Sequence, residues 1–74
     1  MAKIEKIIKK MKNQPKGITF AEIKKVLVHN GYEEIRIRGS HHHFRNEQGL
    51  VTTIKRENPV DIQAVEDVLN RIGE

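Results

Sequence analysis

The apolar residues of this chain change period from about 3.6 to 2 and back again, and only a fold that mixes helices with a sheet satisfies both spacings. From Lys3 to Lys12, Ile4, Ile7, Ile8 and Met11 recur at i, i+3, i+4 and i+7 among lysines, the signature of an amphipathic helix. Asn13-Gln14-Pro15-Lys16-Gly17 interrupts it, because proline disfavours a helical conformation in the residue before it and glycine permits a turn. A second helix is predicted next. Thr19 and Glu22 stand at capping-box spacing, Phe20, Ile23 and Leu27 supply the buried stripe, and Asn30-Gly31 ends the helix with Gly31 as its left-handed cap. His29 falls at the surface or boundary of that helix.

Beyond Gly31 the alternation predicts a half-buried strand, with Ile35 and Ile37 facing one way and Glu34, Arg36 and Arg38 the other. Gly39-Ser40 reads as a turn. His41 to Arg45 then forms a second strand in which Phe44 fixes the buried phase, so His42 shares the side of Phe44 while His41, His43 and Arg45 share the opposite, more polar face. Asn46-Glu47-Gln48-Gly49 is a polar hairpin connection, and Leu50 to Ile54 reads as the third strand. Helical spacing returns with Ile62, Val65, Leu69 and Ile72, and Asn58-Pro59 reads as an N-cap followed by proline at the first helical position. The short polar connections favour an antiparallel meander covered by helices on one face. The expected fold is therefore α+β, a three-stranded antiparallel sheet packed by helices in the order α-α-β-β-β-α.

Seventy-four residues leave room for one domain, 1–74, near the lower size at which packing alone holds a fold. With no cysteine, neither disulfides nor zinc–thiolate ligation can supplement the core, and a reducing compartment suits the composition. No apolar run reaches the roughly 18 to 20 residues needed to span a bilayer, and the Lys-rich start lacks the apolar segment of a signal peptide. The reading is a soluble, cytoplasmic protein with no membrane partner. Its charge is uneven: residues 1–45 carry eleven Lys/Arg against four Asp/Glu, a balance of +7, and residues 46–74 carry three against six, a balance of −3. Such a cationic half suits a polyphosphate, and it suits solvation equally well.

The segment Gly39-Ser40-His41-His42-His43-Phe44 holds most of the chemistry. Three successive histidines on a strand cannot share a face, so one points to the core and two point outward. Imidazole exchanges a proton near neutral pH, and RNA supplies its own nucleophile in the 2′-hydroxyl. An outward histidine beside cationic groups can therefore promote strand cleavage while the cations stabilise the charge that develops on phosphorus. Ordinary surface histidines satisfy the same pattern. His41 and His43, at i and i+2, could also chelate a metal weakly, but no third ligand is evident nearby; Glu47 or Glu57 could reach them only through tertiary folding.

A helix ending near Asn30-Gly31, a basic strand through Arg38, then Gly39-Ser40-His41 with Phe44 three residues later, together resemble the HicA toxins. The resemblance runs from about Phe20 to Ile72. It divides the domain into a HicA-like core, 18–74, and an N-terminal helical extension and linker, 1–17. It implies a fold similar to a double-stranded RNA-binding domain and the activity of an mRNA interferase, an endoribonuclease toxin of a type II toxin–antitoxin system. By the same resemblance His41 is the catalytic residue, acting as general acid/base without metal or small-molecule cofactor, and a HicB-like antitoxin protein masks it. Many HicA-like chains carry another histidine after a valine-proline pair at the end of the third strand, where this chain has Ile54-Lys55-Arg56-Glu57. That departure leaves His43 as the candidate second proton carrier or an additional RNA contact. Arg36, Arg38, Ser40, Arg45 and Lys55 are candidate RNA-binding residues. The alternatives are a non-catalytic RNA-binding module and a protein-interaction domain whose basic surface meets an acidic partner.

Overall fold

The computed structural model describes the backbone of residues 2–74 and the side chains from residue 4 onward. Met1, where the expected domain range begins, and the Lys3 side chain lie outside the described residues. Three helices and three strands follow one another as α1 (Ala2–Asn13), α2 (Phe20–His29), β1 (Glu33–Arg38), β2 (His41–Arg45), β3 (Val51–Lys55) and α3 (Ile62–Arg71). This is the expected α+β order. The strands form one antiparallel sheet, β1-β2-β3, and α1 packs against both α2 and α3. None of the described helices is long and apolar enough to cross a membrane.

Local sequence explains the helix ends. Thr19 and Glu22 close the capping box at α2: the Glu22 N–H donates to Thr19 Oγ1 (3.2 Å) and the Thr19 N–H to Glu22 Oε1 (3.0 Å). That backbone N–H, with help from Lys10, holds the Glu22 carboxyl below the usual carboxylate range. Gly31, at φ +87°, carries the chain out of α2 through a conformation that a Cβ would disfavour.

The core fills the space between the helices and one face of the sheet. Met11 from α1, Ile23 and Leu27 from α2, Phe44 from β2, Ile54 from β3 and Val65 and Val68 from α3 are all buried there. Burying a large aliphatic or aromatic side chain contributes about 1.5–3 kcal/mol, so this one cluster is the main source of stability in a chain without cross-links.

Two local expectations are corrected. Asn58-Pro59 does not cap the third helix: Asp61 does, its side chain accepting from the Gln63 N–H at 3.1 Å. Asn58 Oδ1 instead accepts from the Phe20 N–H (2.9 Å), and the Val60 N–H donates to Ile18 O (2.8 Å), so the segment before α3 runs back along the start of α2. The first N–H groups of a helix have no intrahelical partner, and this loop supplies one across the fold.

Strand β1 is not half-buried through its isoleucines. Ile35 and Ile37 are 45% and 55% exposed, and Glu34 is the part-buried residue. The pairing explains the reversal: Glu34 opposes Phe44 and Arg36 opposes His43, leaving Ile35 as the extra residue of a bulge. One inserted residue breaks the strict alternation, so Glu34 lies on the helix-covered face while Arg36 and Arg38 lie on the open one.

Candidate active site

Strand β2 is the centre of the sheet, and its burial alternates as its sequence predicts: His41 exposed, His42 buried, His43 half-buried, Phe44 buried, Arg45 exposed. Phe44 enters the core and forces the phase of its neighbours. Because directly opposed residues in an antiparallel pair share a face, the register fixes what surrounds each outward side chain. His41 stands between Arg38 of β1 and Lys55 of β3; His43 stands between Arg36 and Thr53; Arg45 stands between Glu33 and Val51. These nine residues make a three-by-three array on the face that none of the described helices covers.

The tight β1–β2 turn holds His41 at the end of that array. Gly39, at φ +57°, occupies the first central position and Ser40 keeps a negative φ, the combination of a type II′ turn whose twist matches the flanking strands. The Arg56 N–H donates to Ser40 O at 2.6 Å, tying the turn to the end of β3. At the other end of β2, Asn46 Oδ1 accepts from the N–H groups of Gln48 and Leu50 (3.0 and 2.9 Å), and Gly49 at φ +85° completes the β2–β3 hairpin. Both ends of the central strand are thus fixed by hydrogen bonds, which makes its outward face a stable platform.

On that platform, His41 and His43 are two residues apart along one strand, a spacing of about 7 Å between their Cα atoms. His43 Nδ1 and Thr53 Oγ1 are 2.8 Å apart and share a hydrogen bond. Arg36, Arg38, Arg45 and Lys55 give the face four cations against the single carboxylate of Glu33, and among the described residues none of the four is in an ion pair. Ile35 lines a surface cleft with Glu33 and Arg45, so the bulge adds an apolar element to the same face. Ser40 lies in the turn beside His41, exposed, with its carbonyl already engaged.

The third histidine is different. His42 is buried beneath the sheet, where its ring tilts against Phe20 with centroids 4.6 Å apart and its Nδ1 lies 2.6 Å from Glu34 Oε2. It anchors the strand from behind. Strict alternation puts His42 on the side of Phe44 and Glu34 on the other face; the bulge at Ile35 brings them together. Sequence reasoning also missed Thr53, whose exposure on β3 was legible but whose neighbour was not.

Such an array can bring two imidazoles and several cations to one phosphodiester. Among the described residues no group of three His, Cys, Asp or Glu side chains is arranged to hold a metal ion, and Glu47 lies in the β2–β3 hairpin connection. His29, the last residue of α2, is exposed and separate from the array.

Comparison with curated proteins finds no match, and neither does comparison with solved structures. A family model does match: the one described as HicA toxin of bacterial toxin–antitoxin covers residues 20–73, from the first residue of α2 to just beyond the end of α3, and so includes every residue of the open-face array. The chain therefore belongs to the HicA toxin family.

Proposed function

We propose that this toxin is an endoribonuclease that cleaves mRNA on the open face of its sheet, with His41 and His43 as its proton-transfer groups. The observation that carries the reading is their placement side by side on the central strand, each flanked by at least one cation from a neighbouring strand. One imidazole takes the proton of the RNA 2′-hydroxyl as O2′ attacks phosphorus, the P–O5′ bond breaks, and the other imidazole gives its proton to the departing O5′. The products are a 2′,3′-cyclic phosphate and a free 5′-hydroxyl. Proton transfer by positioned groups of this kind accelerates a step by about 10² to 10⁴.

Arg36, Arg38, Arg45 and Lys55 hold the phosphate chain and stabilise the charge that grows on the non-bridging oxygens. The Ser40 hydroxyl, exposed in the turn next to His41, is a further RNA contact. No metal ion or small-molecule cofactor is required, because the substrate provides the nucleophile and the imidazoles move the protons. Such an activity belongs in the cytoplasm with the messages it cuts, restrained by an antitoxin of the HicB type that covers the same face. The domain divides as its sequence does, a HicA-like core over 18–74 preceded by a helical extension over 1–17.

The test is cleavage of a defined RNA by the purified chain in EDTA, with the product ends identified. Cyclic phosphate ends, and resistance of a strand carrying 2′-deoxyribose at the cleaved position, are the expected results. Binding without turnover would instead make the face a non-catalytic RNA-binding surface, and no effect on RNA would leave a protein-interaction domain.

A further inference from the structure

We infer that Thr53 is a positioning residue that holds His43 in one orientation through both of its protonation states, so that His43 serves as the second proton carrier beside His41. The inference rests on the endoribonuclease reading and adds to it a residue that acts only through another.

The two outward histidines have unlike surroundings. The cross-strand neighbours of His41 are Arg38 and Lys55, two cations that can only donate hydrogen bonds. His43 opposes Arg36 on one side and Thr53 on the other, and its Nδ1 is 2.8 Å from Thr53 Oγ1. A bond at Nδ1 leaves Nε2 as the nitrogen available to a substrate on the open face. Threonine is also stiff at χ1, because its Cβ carries two heavy atoms, so the hydroxyl that holds the ring is itself held by the strand.

A hydroxyl suits a titrating partner better than the other side chains of comparable size. Neutral imidazole carries one N–H, so the role at Nδ1 decides the role at Nε2. When the ring is protonated, both nitrogens are donors, and Thr53 Oγ1 accepts from Nδ1–H while Nε2–H faces the substrate. Giving the Nε2 proton to the departing oxygen leaves the neutral ring with Nδ1–H still donating to Thr53 Oγ1 and a bare Nε2 that can take a proton back. The ring need not move between the two states. A carboxylate at position 53 would favour the charged ring strongly, and an aliphatic side chain would release it.

The chain reads Ile54-Lys55-Arg56-Glu57 at the end of its third strand, without an imidazole there. Within the described array the second imidazole comes from β2 itself, and β3 contributes the hydroxyl that orients it.

The experiment compares the full-length wild type with Thr53→Val, which removes the hydroxyl at nearly constant shape, and Thr53→Ser, which keeps it. RNA cleavage is followed as kcat and KM across a range of pH, and the His43 tautomer is read from imidazole ¹⁵N chemical shifts. Thr53→Val is expected to lower kcat by about 10- to 100-fold with little change in KM, the scale on which misplacing a reacting group acts. It should also alter the His43 ¹⁵N signature and shift one limb of the pH–rate profile. Thr53→Ser should restore kcat to near the wild-type value.

Three results would overturn the inference while leaving the endoribonuclease reading intact: unchanged kcat in Thr53→Val, equal impairment of the Ser and Val variants, or the same loss from Thr53→Val in a His43→Ala background. A wild-type chain that binds but does not cleave RNA would instead overturn the reading and this inference together.

Discussion

His42 Nδ1 lies 2.6 Å from Glu34 Oε2 on the covered side of the sheet, directly behind the face that carries His41 and His43. An ionised carboxylate only accepts, so Nδ1 carries the proton of that bond. Lys24 Nζ approaches the other oxygen at 3.6 Å, and the hydrogen bond from His42, supported by Lys24, holds the Glu34 carboxyl below its usual range against the opposing effect of burial. A triplet of identical residues is thereby split into one structural side chain and two open ones.

Breaking that contact is expected to cost stability. Glu34→Ala leaves a buried imidazole N–H without its partner, a loss of about 1–3 kcal/mol measured by urea denaturation at neutral pH. The folded-state pKa of Glu34 is lowered, so its contribution is complete above the ordinary value of 4.5 and disappears as pH falls through the lower folded value. Glu34→Gln should accordingly be less sensitive to acid than the wild type in that window. Parallel stability curves for the two proteins would show that the carboxylate charge contributes nothing.

Removing His41 tests the chemistry without disturbing the core, because its side chain is exposed. His41→Ala should reduce RNA cleavage by at least about 10²-fold while its denaturation midpoint and RNA affinity stay near those of the wild type. Cleavage at an undiminished rate would move the reaction away from His41.

The four open-face cations should act mainly through phosphate. Arg36→Ala, Arg38→Ala and Arg45→Ala are each expected to weaken binding of many RNA sequences together, and each lost contact should flatten the salt dependence of single-strand affinity by roughly 0.7 in log–log slope. Unchanged slopes in all three variants, measured by fluorescence titration, would place the RNA elsewhere.

An inhibitory partner that masks the array should compete with substrate. A cognate antitoxin and a non-cleavable RNA are expected to displace each other, and Arg36→Ala or Arg38→Ala should slow antitoxin association through weakened electrostatic steering. Independent, simultaneous binding of both ligands would refute masking of this face.

Features that depend on near neighbours can be read from the chain alone. The capping box at Thr19 and Glu22, the exit from α2 at Gly31 and the burial of Phe44 between half-buried His43 and exposed Arg45 all follow from residues within a few positions of one another. The outward placement of His41 and His43 was legible for the same reason, since a strand of period two leaves no other solution once Phe44 is inside. The phase of β1 is set by strand pairing instead, because a bulge at Ile35 depends on how one strand meets the next, and a single extra residue moves Glu34 from the open face to the covered one. Tertiary structure likewise decides the partners of Thr53 and Asn58. Thr53 meets His43 across 10 positions of chain, and Asn58 meets the Phe20 N–H across 38. Hydrophobic periodicity encodes which face a side chain takes, while register and loop path decide whom it touches there; those are set by the packing of the whole core, which no local window of sequence contains.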